Sequence, residues 1–170
     1  DESGIATNMT RRYARARKGE RALGRVPAGH WRQLTVLGGL SKEGLISCMS
    51  IEAATSREVF LAFVREVLVP ELRPGQVVIL DNLSSHKVQE VSALIEEAGC
   101  RLLHLPAYSP ELNPIELCWS KLKTLLPPAA ARRKEAVENA LAAVIPETTP
   151  ADAQGWFRHC GYPATLNAPG

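Results

Sequence analysis

The sequence predicts an α/β fold in which a mixed sheet is flanked by helices. Three observations carry this. Two apolar segments joined by Ser41-Lys42-Glu43-Gly44 read as an antiparallel hairpin. The succession strand, helix, strand across 77–105 requires a right-handed crossover and therefore parallel pairing. Helical spacing of apolar residues then fills the last third of the chain. With 170 residues, 45% of them hydrophobic and 22% charged, the chain suits one domain with a real core.

Taken in order, Asp1-Glu2-Ser3-Gly4 begins with no strand ahead of it. From 5 to 28 no period is sustained, and Gly19, Gly24 and Pro27 predict an extended, basic, loop-like insertion. Residues 31–37 and 45–51 form the two hairpin strands. Thr55 or Ser56 caps a helix whose Phe60, Phe63, Val64, Val67 and Leu68 recur at helical spacing up to about Pro70. After the Pro74-Gly75 turn, Val77-Val78-Ile79-Leu80 is a continuous apolar run, the mark of a strand buried on both faces. Ser84 or Ser85 then caps a helix bearing Val88, Val91, Ile95 and Ala98, with Gly99 just beyond its end. Residues 101–105 form the parallel strand. Asn113 as cap and Pro114 at the first helical position start a helix with Ile115, Trp119, Leu122 and Leu126, stopped by Pro127-Pro128. Two more helices, 133–145 and 150–160, complete a single domain over 1–170 with no internal repeat.

Composition excludes several functions. No apolar run approaches the length of a membrane span and no signal segment opens the chain, so an intracellular, cytoplasmic protein is expected. Cys48, Cys100, Cys118 and Cys160 are widely spaced, which predicts reduced thiols rather than a disulfide framework or a zinc ribbon. Neither a phosphate-cradling Gly-x-x-x-x-Gly-Lys nor a Gly-x-Ser-x-Gly elbow is present. The net charge is only +2, but Arg11, Arg12, Arg15, Arg17, Lys18, Arg21, Arg25 and Arg32 place eight positive residues in the first 32 against three acids. Such clustering is one footprint of phosphate contact, and also the ordinary composition of a solvated loop.

Two acids stand in unusual settings. Asp81 closes the buried strand, and Glu116 follows the interrupted run Ser109-Pro110-Glu111-Leu112-Asn113-Pro114-Ile115 with thirty-four residues between the two. Singly, Asp81 reads as a turn former and Glu116 as the third residue of a capping box on Asn113. Together, a strand-end Asp and a Glu returned by a helix can share one metal site, because ligands of open α/β sheets collect outside the carboxyl ends of strands.

Asp1-Glu2-Ser3-Gly4, Asp81-Asn82-Leu83-Ser84-Ser85-His86-Lys87 and Tyr108-Ser109-Pro110-Glu111-Leu112-Asn113-Pro114-Ile115-Glu116 with Trp119-Ser120-Lys121-Leu122-Lys123 resemble the three catalytic blocks of mariner-related insertion-sequence transposases, of the insertion-sequence six-thirty branch. These are Asp-Asp-Glu recombinases with a ribonuclease H-like fold. The thirty-four-residue interval also matches that branch. The resemblance implies Asp1, Asp81 and Glu116 as catalytic acids and as ligands of two Mg2+ (or Mn2+) ions. Such a pair of ions activates a hydroxyl and stabilises the leaving oxygen in attack on phosphorus, and oxygen ligands suffice to hold them.

The same resemblance implies double-stranded DNA as partner, both element ends and a thymine-adenine target, and a homodimer when full length. The DNA-binding residues would be Arg11, Arg12, Arg15, Arg17, Lys18, Arg21, His86, Lys87, Lys121 and Lys123, with Asn82 supporting the carboxylates. Family members carry a helix-turn-helix region ahead of this domain. Since the first catalytic Asp sits on the central strand, whose body would precede it, the expectation is a truncated first strand, an incomplete fold, and a positively charged α-amino group beside the metal site. Two other classes stay open: a catalytically silent remnant with at most DNA or partner binding, and a stand-alone ribonuclease H-like nuclease.

Overall fold

The computed structural model describes residues 1–6, 15–21, 23, 33–83, 89–126 and 134–163. Strand β1 (Glu2–Ala6) pairs antiparallel with β2 (Gln33–Ser41), which pairs antiparallel with β3 (Gly44–Ile51). The expectation of loop from Ile5 onward is corrected: Ile5 and Ala6 belong to β1, and Ile5 is buried and lies opposite Leu34. Its apolar side chain has a core to enter, and local periodicity over five residues is too short to show that. The β2–β3 hairpin turns at Lys42 and Glu43, and Gly44 takes φ +128 there, a conformation that L side chains avoid.

Ser56 accepts the Val59 N–H and starts α1 (Arg57–Phe63), which continues through a wider turn to Leu68 and a tight one to Glu71. Strand β4 (Val77–Leu80), α2 (Gln89–Glu97) and β5 (Arg101–His104) form the expected parallel unit, with Leu80 opposite His104. Gly99 ends α2 at φ +74. The residues expected to cap α2, Ser84 and Ser85, lie outside the described residues. Helices α3 (Pro114–Leu125), α4 (Lys134–Val144) and α5 (Pro150–His159) follow. The antiparallel and parallel pairings are hydrogen-bonded as two ladders, β1–β2–β3 and β4–β5.

Strand alternation sorts the core into two. Ile5, Leu34 and Val36 point to one face and pack with Ile115, Cys118, Trp119 and Leu122 of α3 and Val137 and Leu141 of α4. Leu37 points to the other and joins Phe60, Phe63 and Val64 to Leu80, Val91 and Ile95. Each such side chain stabilises the fold by about 1.5–3 kcal/mol when fully buried. The antiparallel sheet thus packs on α3 and α4 with one face and, through Leu37 of β2, on α1 and the β4 unit with the other.

Candidate active site

Three elements bring the candidate acids together. Asp1 leads into β1, and its backbone pairs with Gly38 of β2 in both directions, the Gly38 N–H donating to Asp1 O at 2.9 Å and the Asp1 amine donating to Gly38 O at 3.0 Å. Asp81 is the residue after β4. Glu116 sits in the first turn of α3. A cleft of about 600 Å³ is lined by all three, with Glu2, Gln33, Thr35 and Thr55 completing its walls. The Oε2 of Glu2 and the Oγ1 of Thr55 are buried there with no hydrogen-bond partner.

The carboxylates differ in what holds them. Asp1 accepts the Glu2 N–H on Oδ1 at 2.7 Å and the side-chain amide of Asn113 on Oδ2 at 3.0 Å. Asp81 accepts the Leu83 N–H on Oδ1 at 3.3 Å, so the turn-forming role read from sequence is present alongside its place in the cleft. Glu116 does not complete a capping box: α3 has no side-chain cap bond, and Glu116 lines the cleft.

The donors are carboxylate oxygens, the chemistry that Mg2+ and Mn2+ prefer. Among the described residues no group of three His, Cys, Asp or Glu is arranged to hold a metal ion, so the acids share a cleft without converging on one point. Cys100 and His104, one sulfur and one imidazole at the two ends of β5, are not placed as a pair of metal ligands. Cys100 is buried with its thiol on Arg73 O, while His104 is exposed with Nδ1 3.3 Å from Asp81 O.

The basic residues are divided. Arg15, Arg17, Lys18 and Arg21 are exposed, whereas Arg11, Arg12, His86 and Lys87 lie outside the described residues. Lys123 is half-buried in the last turn of α3. Lys121 turns inward, donating to Glu147 O at 2.6 Å and to Asp152 Oδ2 at 2.7 Å, so its ammonium is engaged at the start of α5. Asn82 is the amide expected to support the carboxylates, yet the side-chain amide that donates to Asp1 is that of Asn113. In the sequence Asn113 is marked as a helix cap and by its place in the block ending at Glu116, and neither signal shows this bond.

Residues 1–138 match the family described as DDE superfamily endonuclease. The chain belongs to that family. Among solved structures, the Mos1 transposase paired-end complex with left transposon end superposes on this DDE superfamily endonuclease with a TM-score of 0.75 at 17% identity, covering 94% of this chain and 49% of that one. The Mos1 mariner paired end complex with Mn gives 0.65 at 17%, over 94% and 50%. The catalytic domain of Mos1 mariner transposase gives 0.55 at 16%, over 76% and 68%. These likenesses establish a ribonuclease H-like fold of the mariner type, and the chain spans about half the length of the Mos1 chains in the paired-end complexes. No curated protein matches the chain.

Proposed function

We propose that this DDE superfamily endonuclease is the catalytic domain of a DNA transposase, which cleaves DNA strands at element ends and joins the freed 3′ end to target DNA. The observation that carries the reading is that Asp1, Asp81 and Glu116, remote in sequence, line one cleft. The thirty-four residues between the last two acids support the insertion-sequence branch of the mariner-related enzymes.

In this reading the three carboxylates hold divalent cations, Mg2+ or Mn2+. One Mos1 paired end complex is a complex with Mn, and the Mos1 catalytic domain with Raltegravir is a complex with Mg. Bound in the cleft, two cations would supply Lewis-acid activation of the attacking hydroxyl and charge stabilisation at the leaving oxygen. The protein's part is to orient and to concentrate charge. Asp1 is fixed by two hydrogen bonds, Asp81 by its turn, and Glu116 by the amino end of α3, where a negative side chain is favoured. Arg15, Arg17, Lys18 and Arg21 supply sequence-independent attraction for the phosphate backbone. Residues 1–170 are assigned as a single catalytic domain, with recognition of element ends by a helix-turn-helix region and dimerisation assigned to the full-length protein.

The test is strand cleavage of a duplex carrying the element end, with Mg2+ or Mn2+, comparing the wild type with Asp81→Asn and Glu116→Gln. Cleavage that depends on the cation and is lost in both variants supports the reading. Cleavage that persists in both overturns the assignment of the acids. DNA binding without cleavage in any form returns the chain to the silent-remnant class.

A further inference from the structure

We infer that Asn113 is a positioning residue that orients the Asp1 carboxylate and ties it to the start of the helix bearing Glu116. An Asn at a helix N-cap ordinarily accepts a backbone N–H from the first turn with its side-chain oxygen. Asn113 occupies that place before α3 with extended backbone (φ −106, ψ 100), yet its side chain makes no cap bond. The side chain is instead turned to Asp1, donating Nδ2–H to Asp1 Oδ2 at 3.0 Å across 112 residues of sequence.

The burial of Asn113, only 7% exposed, leaves the amide little freedom to do anything else. With the Glu2 N–H on Oδ1, both oxygens of the Asp1 carboxylate have a donor, so its rotation about the Cβ–Cγ bond is set. The backbone of the same residue serves the second acid, since Asn113 O accepts the Glu116 N–H at 3.1 Å. The turn that carries Asn113 is braced from behind. Its own N–H donates to Pro110 O at 3.0 Å, and the Tyr162 hydroxyl donates to Leu112 O at 2.8 Å. One buried side chain thus links β1 to α3 at the place where two of the three acids meet the cleft.

The inference rests on the proposed role of Asp1 as a cation ligand, and the experiment separates the two. Mn2+ binding to the full chain is titrated calorimetrically for wild type, Asn113→Ser, Asp1→Ala, Asp1→Ala/Asn113→Ser, Asp81→Asn and Glu116→Gln, with a melting curve for each. Serine caps a helix as well as asparagine but is too short to reach Asp1. Asn113→Ser is expected to melt close to wild type and to bind Mn2+ roughly 10–100-fold more weakly, the usual effect of removing a partner that orients a ligand. In the Asp1→Ala background the same substitution is expected to change Mn2+ affinity no further. If Asn113→Ser binds as wild type while Asp81→Asn and Glu116→Gln lose the ion, the inference falls and the functional reading stands. Equal weakening by Asn113→Ser with and without Asp1 marks a purely structural residue and also overturns it. Unchanged binding in Asp81→Asn and Glu116→Gln overturns the cation site, and the inference with it.

Discussion

Gly38 is where the packing of the sheet and the placement of the candidate acids depend on the same atoms, and Gly38→Ala probes both. A methyl group there would stand 2.7 Å from Cη2 and 3.1 Å from Cζ2 of Trp119, and 3.2 Å from Leu45 Cδ1. Carbon atoms settle at about 3.5–4.0 Å. The obstructing group is a rigid indole, 2% exposed, with α3 behind it, so relief requires moving the helix rather than a side-chain end. Overpacking of this kind costs about 1–3 kcal/mol. For a chain of this size that lowers the melting temperature by roughly 2–12 °C. Because Trp119 lies one turn beyond Glu116, the displaced helix also carries the carboxylate away from Asp1, whose backbone is bonded to Gly38 itself. Trp119→Phe removes the clashing ring atoms. The double variant should therefore be more stable than the sum of the single effects by about 0.5–3 kcal/mol, the range for residues in contact. Thermal melting of the four proteins, with strand cleavage measured in parallel, gives the answer. Strictly additive destabilisation would refute the argument that Trp119 fills the space above Gly38.

Three further outcomes are expected. Hydrogen bonds from Lys121 and then Thr149 lower the Asp152 carboxyl from 3.8 to about 2, so its contribution to stability is complete above pH 4 and is lost as pH falls from about 4 to about 2; Asp152→Asn should flatten the acid limb of a melting-temperature profile in that window, and an unchanged limb would refute the pairing. Burial pushes the Cys48 and Cys118 thiols up to about 11, so at pH 8 both should react slowly with iodoacetamide when folded and rapidly in denaturant; rapid modification of the folded protein would contradict this. Replacing Arg15, Arg17, Lys18 and Arg21 with Gln should weaken DNA binding and lower the slope of log affinity against log salt by roughly 0.9 for each lost phosphate contact, whereas an unaltered slope would mark a solvated loop.

Much of this molecule is legible in its sequence where local physics and tertiary structure agree. The Ser41–Gly44 turn, the apolar run ending at Asp81, Gly99 behind α2 and Asn113-Pro114 ahead of α3 all carry short-range signals of turn, burial or capping, and each marks an element boundary to within a few residues. Strand β1 carries no such signal. Its five residues contain a serine and a glycine, and they are a strand because β2 offers them partners. Of the site, Asp81 and Glu116 stand out through their settings, and Asp1 only through resemblance. The Asn113–Asp1 bond cannot be read from sequence at all, since a capping asparagine and an asparagine turned away from its helix have the same sequence context. Lys121 fails in the opposite sense: a lysine beside a candidate acid looks free for phosphate until Asp152, thirty-one residues on, is seen to hold it.

The most direct test of the proposed site is anomalous scattering from crystals of the protein grown with Mn2+. The reading predicts manganese in the cleft, with oxygens of Asp1, Asp81 and Glu116 drawn in to about 2.0–2.3 Å, the usual range for hard cations of this size. Manganese bound elsewhere, or a cleft in which the three carboxylates stay apart at saturating Mn2+, would contradict it.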